Sequence, residues 1–239
     1  MNKFAILLEC DPGNTLGGSC LRDIDNMASH LIDMCQFLPS NINLLTTSSY
    51  KPKTQGVQQS DSKDLYKVVD RINQSDPQLM IILLSGHGFS VRDRNGDELD
   101  GCDEAINVGF QILDDDLYNL VLKLKCNAIF LTDTCHSGTM FDLPYGYDVG
   151  TDKFVKSSNR NDIINNLMIS LSACSDQQLS MCDVGDQTGF GGSLTTALLN
   201  IDNVMQELLS MTNFKVLYNK LQARLCLLNQ KLVLSSSRR

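Results

Sequence analysis

The sequence predicts an α/β domain with a mainly parallel sheet sandwiched by helices. Three observations carry that expectation. Short apolar runs alternate with segments of helical periodicity through the first 135 residues. Leu79–Ser85 (LMIILLS) and Ala128–Thr132 (AIFLT) are continuous apolar runs, as strands covered on both faces require. The chain between them holds one helix-sized segment, which suits a crossover joining parallel strands.

The elements follow in order. Lys3–Glu9 (KFAILLE) reads as a strand, and the glycine-rich loop Gly13–Gly18 follows it. Leu21 to Leu38 has Ile24, Met27, Ala28, Leu31, Ile32 and Cys35 at helical spacing. Ile42–Thr47 reads as a strand and Ser48–Ser60 as a loop. Asp61–Gln74 puts Leu65, Val68, Val69 and Ile72 on one helical face, with Ser60 or Asp61 as cap. An acidic loop spans Val91 to Glu104, and a helix runs over Leu117–Leu124 after Asp114-Asp115-Asp116. Asp142–Asn166 is polar, carries Pro, Gly and Asn, and reads as a linker. Leu167–Ala173 is a strand, Leu194–Leu209 and Phe214–Leu228 are helices, and Leu232–Leu234 returns as a last strand.

At 239 residues the chain is long enough to bury a substantial core. Its 42% hydrophobic and 20% charged residues are ordinary globular usage, which excludes disorder, collagen and coiled coil as readings of the whole. The longest apolar runs fall far short of a bilayer span. The first run ends at Glu9 and Asp11 after five residues, so no secretory signal is expected. A net charge of −8 argues against nucleic acid or an anionic membrane as partner, and suits a metal ion or a basic substrate. The 9 cysteines form no CxxC pair, which argues against structural zinc; they are expected to be reduced thiols in the cytoplasm.

In parallel sheets, sites form at the carboxyl ends of strands. Two such ends carry unusual chemistry. Ser85-Gly86-His87-Gly88 follows one buried strand and Asp133-Thr134-Cys135-His136-Ser137-Gly138 follows the other. Glycines beside His87 would let backbone approach a ligand closely. An imidazole next to a cysteine is the usual means of making a nucleophilic thiolate. His136 adjoins Cys135 but should point away from it, and His30 falls in the first helix. Asp93–Asp116 holds nine carboxylates (Asp93, Asp97, Glu98, Asp100, Asp103, Glu104, Asp114, Asp115 and Asp116) against one cation, Arg94. Such a run is either a solvated loop or a binding place for a hard cation. Its glycines do not fit the twelve-residue EF-hand loop.

With these residues in view, the chain resembles a metacaspase, a caspase-like cysteine peptidase. The matching segments are SGHG (Ser85–Gly88), DGCDEAI (Asp100–Ile106), DDDL (Asp114–Leu117), DTCHSGTMFDLPY (Asp133–Tyr145), SACSDQQ (Ser172–Gln178), LSSS (Leu234–Ser237) and GGSCLRDIDNM (Gly17–Met27). Caspases proper are less similar, because DTCHSG stands where they have QACRG.

The resemblance implies a caspase-hemoglobinase fold, a dyad of His87 and Cys135, and an oxyanion hole from the N–H groups of Gly88 and Cys135. It implies cleavage after Arg or Lys in protein or peptide substrates, with a pocket at Cys20, Asp23, Ser85 and Asp133. It implies Ca²⁺ held by Asp103, Asp114, Asp115 and Asp142, and a monomer. Arg22 before Asp23, and SAC rather than SGC at Ser172–Cys174, depart from the family's usual pattern. The expected organisation is one catalytic domain over 1–239, with a large-subunit-like part to 142, a linker over 143–166 and a small-subunit-like part from 167. No leader is expected before Lys3. A catalytically silent module that holds a basic partner is the competing reading, and a redox sensor built on the thiols is a more distant one.

Overall fold

The computed structural model describes residues 2–46, 50–93, 101–180 and 191–239. Its elements are, in chain order, β1 (Lys3–Cys10), α1 (Ser19–Asp33), β2 (Ile42–Thr46), β3 (Gln58–Asp61), α2 (Leu65–Asn73), β4 (Leu79–Gly86), β5 (Gly88–Arg92), β6 (Cys102–Asn107), β7 (Gln111–Leu113), α3 (Asp114–Lys123), β8 (Asn127–Thr134), β9 (Tyr145–Asp148), β10 (Lys153–Lys156), β11 (Met168–Ser172), α4 (Ser193–Asn200), α5 (Val204–Ser210), α6 (Phe214–Leu225) and β12 (Val233–Ser236). The described residues build a nine-stranded sheet, β10-β9-β12-β11-β8-β4-β1-β2-β3, and a small sheet, β5-β6-β7. From β11 to β3 the large sheet is parallel, and β12, β9 and β10 extend it antiparallel. This is the helix-flanked α/β architecture expected.

Strand alternation decides which helices cover which face. Ala5, Leu7, Ile81, Leu83, Ile129 and Leu131 point to the face packed by α1, α4, α5 and α6. Phe4, Ile6, Leu8, Met80, Ile82, Leu84, Ala128 and Phe130 point to the face packed by α2 and α3. The three central strands β1, β4 and β8 are buried almost from end to end, which explains their unbroken apolar sequences.

Several boundaries differ from the sequence expectation. Helix α1 stops at Asp33 rather than Leu38, because Gln36 turns left-handed (φ 57°) and the Phe37 N–H returns to the Leu31 carbonyl. Cys35 and Phe37 still bury their side chains, which is why the apolar periodicity ran on. The expected helix over 194–209 is two, broken where Ile201 is extended and Asn203 left-handed. Gln58–Ser60, expected in a loop, and Asp61, expected at the start of a helix, form an edge strand; their polar residues give no buried-face pattern. Asp114–Asp116 lie inside the first turn of α3 rather than before it, where carboxylates offset the positive helix end. The acidic stretch after Val91 is partly strand, in β5 and β6, while Arg94, Asp97, Glu98 and Asp100 lie outside the described residues. The segment expected as a linker carries the hairpin β9–β10, which docks on β12.

Gly86 shows how tightly the strand ends are fitted. It holds φ +139°, and a Cβ there would lie 2.5 Å from the backbone carbon of Cys10. Because the obstacle is backbone, it cannot swing aside. Gly86→Ala is expected to destabilise the fold by about 2–4 kcal/mol, read as a lowered denaturation midpoint. An unchanged midpoint would show that β1 and β4 can part at this end without cost.

Candidate active site

The register brings the two unusual strand ends together. In the parallel pair β4–β8, Ser85 pairs with Asp133 and Gly86 with Thr134. His87 and Cys135 are therefore the next residue on each of two adjacent strands. His87 is anchored by its N–H to the Cys10 carbonyl at 2.8 Å. Its ring is partly exposed, and Nε2 lies 2.6 Å from Thr15 Oγ1 and 3.5 Å from Asp11 Oδ1. Gly88 opens β5 under the loop that starts at Cys135; a Cβ on it would sit 2.1 Å from the Cys135 carbonyl oxygen. The two glycines beside His87 thus serve contact with the chain's own backbone, a nearer cause than the ligand approach that their positions suggested.

Cys135 is partly buried, and its Sγ donates to the Ser180 carbonyl at 3.6 Å. Burial pushes its thiol up, and the carboxylate of Asp133 adds to that. The resting group is therefore a thiol, and a base must take its proton before it can attack. His136 is not that base in this arrangement. It is left-handed (φ 50°), its N–H donates to Gln178 and its Nδ1 lies 2.5 Å from the Asp176 carbonyl. Asp176 also accepts the Thr139 N–H at 2.9 Å, so the 173–180 segment clasps the loop after Cys135.

The residues assigned to the pocket gather on one face for a reason of parity. Ser85 and Asp133 continue the alternation of Leu83 and Leu131, so they point to the α1/α4 side. There Asp23 of α1 accepts the Ser85 hydroxyl at 2.7 Å and the Gly192 N–H at 3.0 Å. Asp133 accepts the Ser180 hydroxyl at 3.0 Å and the Thr195 N–H at 2.7 Å. Both carboxyls are 3% exposed. Burial, then repulsion from Asp133, raises Asp23 to about 8, and burial raises Asp133 as well. At neutral pH Asp23 therefore keeps its proton. Gly191 and Gly192 cover the pair, since a Cβ on either would lie within 2.4 Å of a carboxylate oxygen. Cys20 is one turn from Asp23 on α1, buried, with Sγ 3.8 Å from Ser19 Oγ.

The four carboxylates assigned to a metal cluster around the start of α3. Asp114 accepts the Glu104 and Asp115 N–H groups, each at 2.7 Å. Burial, then Asp142 and Asp103 among its neighbours, raises its carboxyl to about 7. Asp103, Asp114 and Asp142 are buried. Arg160 takes part in this cluster: its Nη2 donates to Asp115 at 2.5 Å and to Asp142 at 2.7 Å, with its guanidinium over the Tyr118 ring at 4.6 Å. Hard carboxylate oxygens suit calcium. Among the described residues, however, no three ligand side chains converge in metal-holding geometry, and a guanidinium bridges two of the four.

Residues 3–144 match the family model of the metacaspase, peptidase C14 domain. The chain belongs to the metacaspase family. Metacaspase-1B of Neurospora crassa is 32% identical over 59% of this chain and 34% of its own length. Metacaspase-1 of Arabidopsis thaliana is 31% identical over 67% of the chain and 47% of its own length. The metacaspase described here thus spans a third to a half of the length of such curated relatives. Protein GSU0716 from Geobacter sulfurreducens has the same fold, with a TM-score of 0.59 at 23% identity, covering 100% of this chain and 94% of its own.

Sequence reasoning missed several neighbours of these candidate residues. Asp11 and Thr15 touch the ring of His87, Ser180 touches both Asp133 and Cys135, and Arg160 bridges the acidic cluster. Only the first had a sequence signal, an aspartate at a strand end before Pro-Gly. Among the described residues, no helix is long and apolar enough to cross a membrane.

Proposed function

We propose that this metacaspase is a cysteine endopeptidase cleaving after Arg or Lys, with Cys135 as nucleophile and His87 as general base. The observation that carries the reading is the pairing of β4 with β8, which sets both residues one step past the same register line. In the reaction His87 takes the proton from Sγ, and the sulfur bonds to the scissile carbonyl carbon. The C–N bond breaks as His87 returns that proton to the departing amine, and water then hydrolyses the thioester. The N–H groups of Gly88 and Cys135 are the proposed donors to the oxyanion. Support for basic specificity comes from Asp23 and Asp133, two buried carboxyls that repel each other and would gain from a guanidinium or ammonium. Such a side chain reaches them only if the cover at Gly191–Gly192 gives way. Hydrolysis of short peptides ending in Arg, Lys or Asp, with and without calcium, tests this reading. Cleavage after Asp in preference to Arg would overturn it. Binding of basic peptides with no turnover would favour a silent module instead.

Calcium is part of the proposal, with Asp103, Asp114, Asp115 and Asp142 as its holders. Bound there, the ion would supply positive charge to a crowded set of carboxylates. Arg160 already supplies one such charge, so it and calcium compete for Asp115 and Asp142. Arg160→Gln is expected to tighten calcium binding on the order of tenfold, measured by titration calorimetry, since each charge-assisted contact is worth about 1.5–3 kcal/mol. Equal affinity in both proteins would place the ion elsewhere.

A further inference from the structure

We propose that Asp11, acting through Thr15, is a positioning residue that sets which nitrogen of His87 carries the proton and balances the charge on the ring when it takes a second one. The proposal rests on the reading of His87 and Cys135 as a dyad.

The direction of the hydrogen bonds carries the argument. Thr15 Oγ1 lies 2.9 Å from Asp11 Oδ1 and 2.6 Å from His87 Nε2. A hydroxyl has one proton to give, and a carboxylate can only accept. The Thr15 proton therefore goes to Asp11, and Thr15 offers a lone pair to His87. Nε2 must then carry the hydrogen, which leaves Nδ1 as the basic nitrogen of the neutral ring. That is the state in which a general base can take a proton from a thiol. Once it does, the ring is a cation with Asp11 Oδ1 3.5 Å from Nε2, too long for a hydrogen bond but close for a charge contact.

Asp11 is built to stay ionised. It sits at the end of β1 beside β4, 2% exposed. Burial alone would raise its carboxyl, but the Leu16 and Thr15 N–H groups, the Thr15 hydroxyl and His87 outweigh burial and lower it. The N–H groups lie at 2.8 Å and 2.9 Å. Those two bonds also fold the 11–16 turn, and turn formation would explain Asp11 by itself. It does not explain why the hydroxyl of Thr15, an exposed loop residue, is aimed at the ring of His87.

The test compares the wild type with Asp11→Asn, Thr15→Val and Thr15→Ser. Each protein is labelled with ¹⁵N in its histidine rings, and His87→Gln assigns the signals. Peptide hydrolysis is measured in parallel. The wild type and Thr15→Ser are expected to show His87 with hydrogen on Nε2, and to agree in kcat within a few-fold. Thr15→Val should lose that signature to a mixture of tautomers and lose at least tenfold in kcat with KM little changed. Asp11→Asn removes the charge and should cost up to about ten-thousandfold in kcat, the loss that follows when the orienting carboxylate of a catalytic histidine is replaced by its amide. If Asp11→Asn does not fold, the Thr15 pair decides, because an exposed loop residue tolerates both changes. A wild-type ring with hydrogen on Nδ1, or Thr15→Val matching wild type in spectrum and kcat, overturns the proposal. A wild type that cleaves no peptide overturns the dyad instead, and the spectra of the Thr15 pair still decide the positioning role.

Discussion

Cys135→Ala is expected to lower kcat for arginyl peptides on the order of ten-thousandfold or more, the loss typical of removing a covalent nucleophile. Stability should change by about 1 kcal/mol or less, because Sγ is partly buried and its hydrogen bond to the Ser180 carbonyl is long. Cys174→Ala should behave in the opposite way. Its sulfur is buried between the Thr134 carbonyl at 3.5 Å and the Gln178 carbonyl at 3.3 Å, so its loss should be read in unfolding more than in turnover. Cys20→Ala should likewise cost far less activity than Cys135→Ala. Steady-state kinetics together with urea unfolding separate these effects. Near-normal turnover by Cys135→Ala would remove the nucleophile from the mechanism.

The second large effect concerns the buried acidic pair, read as a ratio. Dividing kcat/KM for an arginyl peptide by that for its citrulline counterpart cancels the titration of the dyad and isolates the pocket. Asp133→Asn should lower this ratio on the order of a hundredfold, since breaking a buried charge pair costs about 2–5 kcal/mol. The wild-type ratio should rise as pH is raised through about 8, because a guanidinium needs Asp23 ionised and burial beside Asp133 keeps it protonated below that. Asp23→Asn should flatten the rise. Stability runs the other way. The folded chain keeps a proton on Asp23 that the unfolded chain releases near pH 4, so this group's contribution is full below about 4 and is lost as pH climbs to about 8. A ratio independent of pH, with wild-type discrimination in Asp133→Asn, would mean that the pair does not meet the substrate.

The central strands, the fold class and the two unusual strand ends are legible in the order of amino acids alone. Unbroken apolar runs such as Leu79–Leu84 have no other use in a chain of this size, and a histidine between glycines at such an end is conspicuous. Apolar periodicity could not locate the ends of α1 or the break before α5, because left-handed residues at Gln36 and Asn203 leave no mark on it. It could not find the edge strand β3, whose residues are polar, or the short hairpin β9–β10, of which Tyr147 and Phe154 are only half-buried against the core.

What surrounds the candidate site residues is set by packing. That His87 faces Asp11 and Thr15 depends on β1 lying beside β4. That Asp23 and Asp133 lie together depends on strand parity and on α1 and α4 covering the same face. That Arg160 reaches Asp115 and Asp142 depends on the chain after the hairpin β9–β10 returning past the start of α3. In each case the partners are distant in sequence and meet through packing, whereas local pattern reports only on neighbours along the chain.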